Sequence, residues 1–197
     1  MDSRLCDARQ RLRLPWAGGN VGNEAMDAFT TARLTAERLR RDHLDDLIPL
    51  HQDEAVSRYL GGTRTPAQTA AYIEANLAHW DRRGFGLWML RDDDGHSVGR
   101  AGLRPLKVLG REEIEIAYTF HQAWWGQGYA SEIAGALCDI AFGPLGLPEL
   151  VGVVVAGNLA SCRVLEKTGF VFERTYEVEG HELVLYRRRA PAAERTR

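Results

Sequence analysis

A short loop of small residues lies between a predicted strand and a predicted helix near the middle of the chain. Residues 124–130 read WWGQGYA, with Gly126 and Gly128 separated by one residue. A helix N-terminus presents backbone N–H groups that lack intrahelical partners, together with the positive end of the helix dipole. Small residues let an anion approach those groups closely. The loop is therefore predicted to bind an anion, and a pyrophosphate suits it best; a turn that needs glycine for geometry alone is the alternative.

Two carboxylates precede this loop on the predicted strand. In residues 113–120, EIEIAYTF, apolar and polar side chains alternate, so Glu113 and Glu115 share one face. A carboxylate in this position could accept a proton as a general base. The alternative is that both glutamates form only the polar face of a half-exposed strand.

A third group of interest follows the next predicted strand. Residues 149–156, ELVGVVVA, form a continuous apolar run, which is typical of a strand buried on both faces. Asn158 is predicted to cap the helix that follows, and Gly169 to end it. Ser161 lies one turn after Asn158. A strand, a helix and a buried strand in this order predict a β-α-β unit with parallel strands.

The remaining elements are predicted from periodicity and from turn signals. Asp42 is expected to cap a helix, Thr65 to open a second helix with a capping box and Gly84 to end it. Three aspartates before Gly95 predict a hairpin turn rather than a metal site. Strands are predicted at 31–39, 85–91, 97–105, 113–120, 149–156, 170–178 and 182–187. An antiparallel meander followed by the β-α-β unit gives a mixed sheet of the α/β (α+β) class.

The bulk composition limits the class of protein. The chain has 197 residues, 45% of them hydrophobic, and a formal net charge of −2, which suits one compact domain and gives no electrostatic case for nucleic acid or a membrane surface. Its three cysteines are widely spaced, which predicts neither a disulfide framework nor a metal site and fits the cytoplasm. We expect a flexible arm at 1–29, one domain at 30–188 and a charged tail at 189–197. Whether Met1 or Met26 is the true start stays open.

Taken together, the motifs resemble the GNAT acetyltransferase superfamily, and within it the RimJ/RimL-type branch of ribosomal-protein N-terminal acetyltransferases. The resemblance spans residues 31–187 and rests on four pieces in order: TARLTAERL, EIEIAYTF leading into WWGQGYASE, NLASCRVLEKTGF, and a closing strand ending in LVLY. It implies a GNAT-like fold whose central sheet splays between its fourth and fifth strands, with acetyl-CoA as cosubstrate in the gap and no metal. In the family motif Q/R-x-x-G-x-G/A, Trp125 occupies the first place, which departs from the superfamily and resembles the branch.

The resemblance also implies which residues meet the cosubstrate. The backbone amides of residues 127–131 would hold the pyrophosphate, and Asn158 would contact the pantetheine arm while also capping its helix. Three further residues would lie beside that arm. The full set of implied binding residues is Phe120, His121, Gln122, Gln127, Gly128, Tyr129, Ala130, Ser131 and Asn158.

Acetyl transfer to an amine needs a base, stabilisation of the carbonyl oxygen and a proton for the leaving thiolate. Glu115, which matches the branch segment E-I-x-Y, is the preferred base and Glu113 the second choice. The tyrosine that many family members carry as the acid is replaced by Leu165, so Ser161 is expected to hydrogen-bond the thiol or thiolate. Tyr118 could donate a hydrogen bond, but core packing is the favoured interpretation.

Two functions remain compatible with the sequence. The first is an N-acetyltransferase that acts on a primary amine, either a protein N-terminus or a small molecule, by direct attack on acetyl-CoA. The second is an acyl-CoA-binding regulatory module without turnover, which the changed residues Trp125 and Leu165 keep open. The acceptor is not identified by the sequence, although Trp80, Trp88, Tyr176 and Glu179 are predicted to line its pocket. A homodimer is compatible with the branch, but no residue pattern predicts it.

Overall fold

A computed structural model describes residues 26–191, which form one eight-stranded mixed sheet with helices on both faces. The order of strands across the sheet is β1-β2-β3-β4-β5-β6-β8-β7. The strands are Ala28–Thr30 (β1), Thr35–Arg38 (β2), Leu87–Arg91 (β3), Ser97–Val108 (β4), Arg111–Phe120 (β5), Glu149–Val155 (β6), Val171–Val178 (β7) and His181–Arg189 (β8). The helices are Leu44–Gln52 (α1), Glu54–Ser57 (α2), Pro66–Arg83 (α3), Tyr129–Phe142 (α4) and Leu159–Lys167 (α5).

The sheet opens between its two parallel neighbours, β5 and β6. These strands are joined at a single pair of residues, Glu115 opposite Val151. By contrast, β4 and β5 pair continuously from Gly99 opposite Phe120 to Val108 opposite Arg111. The mixed sheet and the splay predicted from the resemblance are both confirmed. The splay lies between the fifth and sixth strands of the structure because an additional strand, Ala28–Thr30, precedes the first predicted strand.

Each face of the sheet carries its own layer of helices. Ile133 and Leu137 of α4 are fully buried in a cluster that includes Phe120 of β5. On the other face, Leu47 of α1 and Ile73 of α3 pack with residues of β3. Successive strand residues point to opposite faces, so β5 presents different side chains to the two layers. None of the helices within residues 26–191 is long and apolar enough to cross a membrane.

The N-terminal part of the domain differs from the predicted single strand at 31–39. The chain reverses direction at Thr31, whose backbone N–H donates to the carbonyl of Leu34 at 2.8 Å, and β1 then pairs antiparallel with β2. Met26 and Phe29 are buried in the core. The domain therefore includes residues 26–29, which were predicted to belong to the arm at 1–29. Residues 1–25 of the predicted arm lie outside the described residues. At the other end β8 includes Arg189, and residues 192–197 of the predicted tail also lie outside.

The helix ends predicted from local sequence agree with the structure for α3 but not for α1. The Thr65 capping box and the left-handed Gly84 that ends α3 are confirmed. Asp42 does not cap α1, because the chain enters this helix through a turn of 3-10 helix, Arg41–His43. The carboxylate of Asp42 instead accepts a hydrogen bond from Arg40 Nε at 3.3 Å. Asp42 has the chemistry of a cap but lies one residue inside the 3-10 turn.

Candidate active site

A cleft of about 590 Å³ lies where β5 and β6 separate. Its walls are the end of β5, the loop before α4, the first turns of α5 and the short helix α2 with the turn after it. Both faces of β5 contribute, since Tyr118 and Phe120 line it together with Thr119. The cleft therefore reaches both sides of the sheet through the splay.

The glycine loop meets the geometric requirements of an anion site. Gly126 and Gly128 have φ values of +74° and +85°, a region that side chains with a Cβ rarely adopt. A Cβ on Gly128 would meet only Arg33 Nη2, at 3.6 Å, so the backbone is open. Gly128 is the N-cap of α4 and supplies no side-chain cap. The amides of Tyr129, Ala130 and Ser131 occupy the first turn of the helix, where N–H groups have no intrahelical acceptor.

Side chains from within the loop fix its position on the sheet. Trp125 Nε1 donates to the carbonyl of Phe120 at 2.8 Å, and Gln127 Nε2 donates to the carbonyl of Ala123 at 2.8 Å. Trp125 thus ties the loop to the end of β5. This contact gives the tryptophan that departs from the superfamily motif a structural role.

Arg33 is a cation at this loop that the sequence interpretation missed. Its guanidinium donates to Glu132 Oε2 at 2.7 Å and to the carbonyl of Gln127 at 2.9 Å, and it lies 4.2 Å from the centre of the Tyr129 ring. Although burial opposes it, hydrogen bonds from Thr31 and Arg33 hold the pKa of the Glu132 carboxyl below its usual value. The loop and helix α4 are thereby attached to the turn between β1 and β2. Arg33 lies within TARL, the first of the segments that carry the resemblance.

The start of α5 brings two polar side chains to the opposite wall, next to Tyr118 of β5. Asn158 Oδ1 accepts the backbone N–H of Ser161 at 3.2 Å, which confirms the predicted cap. Ser161 Oγ lies 2.9 Å from the hydroxyl of Tyr118. Burial raises the pKa of Tyr118 to about 12, so the phenol stays protonated at neutral pH. Tyr118 therefore packs against the core and also lines the cleft with its hydroxyl group.

Two further cations on α5 line the same cleft. Arg163 and Lys167 are four residues apart, which places both on one side of the helix. The basic spacing after Asn158 was visible in the sequence and could have identified them. They give the cleft positive charge beyond that of the helix N-terminus.

The two glutamates of β5 lie at different distances from the splay along the strand. Glu115 forms the one β5–β6 residue pair, immediately before the strands separate, and its carboxylate accepts from Arg104 Nε at 2.7 Å. Glu113 lies two residues earlier, where both its oxygens accept hydrogen bonds from Arg187 at 3.1 and 3.2 Å. Both glutamates are buried, and neither is among the residues that line the cleft.

The predicted binding residues divide into two groups. His121, Gln122 and Gln127 are not among the lining residues, and Gln122 Nε2 instead donates to the carboxylate of Asp53 at 2.8 and 2.9 Å. Asp53 in turn caps α2. The predicted residues that do line the cleft are Phe120, Gly128, Tyr129, Ala130, Ser131, Asn158 and Ser161.

The prediction that Trp80 and Trp88 line an acceptor pocket was wrong. Trp80 and Trp88 are 1% and 0% exposed and pack edge to face, with ring centres 4.9 Å apart. Their indole N–H groups donate to the carbonyls of Leu87 and Met26. Both rings belong to the core because each indole N–H finds a backbone acceptor there.

The aspartate turn after β3 brings three possible metal ligands together on the surface. Asp92, Asp94 and His96 place their ligand atoms within 4.8 Å of one another. Asp92 Oδ1 is already used by the turn, since it accepts the backbone N–H groups of Asp94 and His96 at 3.1 and 2.8 Å. Turn chemistry accounts for the arrangement.

Several features of the cleft fit a nucleotide thioester. A row of free amides stands at the start of α4, cations flank the cleft, and polar groups of α5 face the end of β5. Phe120 and Tyr129 stack at a centre-to-centre distance of 6.3 Å and add an apolar wall. The gap between β5 and β6 leaves backbone edges available to an extended, amide-containing arm.

Comparison with known proteins gives the same family. Residues 33–171 match the model of the acetyltransferase (GNAT) domain family. The chain is 28% identical over 165 residues to an uncharacterized protein of Bacillus subtilis, YkkB, covering 80% of this chain and 96% of that protein. It is also 28% identical over 162 residues to the FsC-acetyl coenzyme A-N(2)-transacetylase of Aspergillus fumigatus, covering 78% and 68% of the two chains.

Solved structures share the fold over nearly their whole length. A GNAT-family acetyltransferase of Bordetella pertussis superimposes with a TM-score of 0.73 at 25% identity, covering 82% of this chain and 98% of that one. The enzyme of Salmonella typhimurium that modifies the N-terminal serine of ribosomal protein L7/L12 has a TM-score of 0.69 at 16% identity, covering 82% and 97%. At 16% identity, this second likeness shows a shared fold only. The chain belongs to the GNAT acetyltransferase family and is an acyltransferase of the N-acetyltransferase class.

Proposed function

We propose that this chain transfers the acetyl group of acetyl-CoA to a primary amine by direct attack within the β5–β6 cleft. The observation that carries the proposal is the open glycine loop at the start of α4, beside a sheet that separates immediately after Glu115. The name of the Aspergillus relative, an N(2)-transacetylase, supports an amine nitrogen as acceptor. We place the reaction in the cytoplasm, in line with the free thiols of Cys138 and Cys162.

The cosubstrate would be held by the loop and by α5. The amides of residues 128–131 would bind the pyrophosphate, with Arg33 beside them, and Asn158 would contact the pantetheine arm. Arg163 and Lys167 would meet further phosphate charge. When bound, acetyl-CoA supplies an activated acetyl group and a thiolate leaving group.

Glu115 is proposed as the general base, acting directly or through water. It accepts one proton from the acceptor ammonium, and the free amine nitrogen then attacks the carbonyl carbon. A C–N bond forms, the C–S bond breaks, the nitrogen loses a second proton, and the released thiolate takes up one proton. Glu113 is a weaker candidate because Arg187 occupies both of its oxygens.

Tyr118 and Ser161 are proposed to serve the leaving group as a pair. A serine hydroxyl alone is a poor acid, but its 2.9 Å contact with the protonated Tyr118 phenol adds a second O–H group. The pair could donate a hydrogen bond to the thiolate as negative charge develops on sulfur. The pair would take the role of the acid tyrosine that many family members carry at the position of Leu165.

Titration of acetyl-CoA into wild type and Gly128→Glu tests the cosubstrate site. A carboxylate at the pyrophosphate position should weaken binding more than about 100-fold. Gly110→Glu is the matched control, since Gly110 has a φ of +86° and open space around it in the β4–β5 turn. Equal binding by Gly128→Glu and wild type would overturn the site. Binding without CoA release from any amine in a broad panel would favour the regulatory-module alternative.

A further inference from the structure

Three arginines meet around Tyr72 on the face of the sheet that carries α1 and α3. Arg100 of β4 lies with its guanidinium carbon 4.9 Å from the centre of the Tyr72 ring, and Arg64 approaches the same ring at 5.3 Å. Arg104 lies two pleats along β4 from Arg100, on the same face. His51 packs edge to face on Tyr72, with ring centres 5.0 Å apart. We call Arg64, Arg100, Arg104, Tyr72 and His51 the arginine cluster.

The arginine cluster contains most of the unsatisfied buried polar atoms within residues 26–191. His51 Nε2, Arg64 Nη1, Tyr72 OH and Arg100 Nε are all buried without a hydrogen-bond partner in the part of the chain that the structure describes. Buried polar atoms in proteins are nearly always paired, because an unpaired one forfeits its hydration. Four such atoms around one tyrosine ring indicate a site that a ligand completes.

The charges in the cluster are unbalanced. Arg104 is paired with Glu115, but within the described residues Arg64 and Arg100 have no carboxylate partner. Arg100 is only 3% exposed, and burial, followed by the charges of Arg104 and Arg64, lowers its pKa from the usual value. Burial likewise lowers the pKa of His51 to about 3, so its imidazole is neutral. Arg100 therefore lacks a counter-charge in a buried position, where charge is costly, and the neighbouring Arg64 lacks one as well.

The arginine cluster lies directly behind the cleft. Arg100 pairs across the sheet with Thr119, and Thr119 lines the cleft. Leu60, four residues before Arg64, lines it as well. Arg64 and Tyr72 are partly exposed, so the cluster is open to solvent on one side. Glu115, the proposed base, contacts the cluster through Arg104.

We propose that the arginine cluster binds an anionic group of the acceptor, so that the substrate class is a primary amine carrying a carboxylate or a phosphate. This inference rests on the proposed acetyl transfer and narrows it. The anion would lie between Arg64 and Arg100 and accept hydrogen bonds from the tyrosine hydroxyl and the guanidinium groups. The amine would then face Glu115 and the splay. Polyamines and other acceptors without an anion would leave the two cations unpaired.

The test compares matched acceptor pairs in CoA release. Phenylalanine is set against phenylalanine amide for the carboxylate, and O-phosphoethanolamine against ethanolamine for the phosphate. Wild type should favour one or both anionic members by about tenfold or more in kcat/KM. Arg100→Gln should abolish the preference mainly through KM, Arg100→Lys should restore part of it, and Arg111→Gln, an exposed hairpin arginine, should leave it intact.

A second measurement does not depend on turnover. With the protein saturated with CoA so that the glycine loop is occupied, inorganic phosphate at matched ionic strength should raise the melting temperature of wild type. The shift should be lost in Arg100→Gln and in the partly exposed Arg64→Gln. Equal shifts in wild type and both variants would overturn the anion site. So would equal kcat/KM for the charged and neutral acceptors. If acetyl-CoA binds but no amine causes CoA release, the proposed transferase activity is overturned instead. The melting-temperature shift with phosphate then still tests whether the arginine cluster binds an anion.

Discussion

The two faces of β5 present different parts of the chain to the two proposed ligands. On the α4 side, the loop and helix start offer backbone amides, and the side chains around them already have partners, as with Trp125 and Asn158. On the α1 and α3 side, charged side chains from distant segments converge, and several lack partners among residues 26–191. A loop whose side chains are already hydrogen-bonded, and whose backbone amides are free, suits a ligand that a whole family shares. A cluster of unpaired side chains suits a ligand specific to the enzyme.

Glu115→Gln is the largest change expected on the acceptor side. Loss of a general base should lower kcat by about 100- to 10,000-fold, with acetyl-CoA affinity nearly unchanged. Glu113→Gln is the comparison, since it removes a carboxylate from the same face that also pairs with an arginine. Steady-state rates and cosubstrate titrations of both variants decide between them. A larger loss of kcat in Glu113→Gln would move the base to Glu113.

Arg33→Gln should impair binding of the cosubstrate and leave the acceptor side of the site unchanged. It removes a cation beside the loop and the tie to Gln127, so acetyl-CoA binding should weaken by about tenfold or more. The acceptor KM should stay unchanged at saturating cosubstrate. Titration calorimetry and acceptor kinetics measure the two effects separately, and a change confined to the acceptor KM would contradict the assignment of faces.

Tyr118→Phe should lower kcat by about tenfold, because it deletes one hydroxyl of the Tyr118–Ser161 pair while keeping the ring. The effect should be smaller with an activated thioester whose thiolate needs no hydrogen bond. Ser161→Ala should show the same dependence on the leaving group. Identical losses with both thioesters would show that the pair only packs against the cleft.

A pH dependence of stability is expected from Glu132. Its folded pKa is lowered, so its contribution is fully present above the unfolded pKa and is lost as pH falls through the folded value. Glu132→Gln should therefore be less stable than wild type at neutral pH, with the difference shrinking below the usual pKa of a glutamate. Denaturant unfolding of both proteins from pH 7 down to pH 3 measures this. A difference that stays constant with pH would contradict the role of the Arg33–Glu132 pair.

Sequence patterns identified contiguous features and missed convergent ones. The glycine loop, the Asn158 cap and the Thr65 box are each encoded within a few residues, and the structure has them as predicted. The arginine cluster is formed by residues from α1, the turn after α2, α3 and β4, so no local pattern could reveal it. The prediction that the tryptophans line a pocket was wrong for a related reason. Burial of Trp80 and Trp88 depends on backbone acceptors that other segments supply.

The most direct test is a calorimetric titration of acetyl-CoA into wild type, Gly128→Glu and Arg100→Gln, with folding of each checked by circular dichroism. If the two faces of β5 serve two substrates, Gly128→Glu will lose binding and Arg100→Gln will bind as wild type does. Loss of binding in a folded Arg100→Gln, or wild-type binding by Gly128→Glu, would contradict the division of the site.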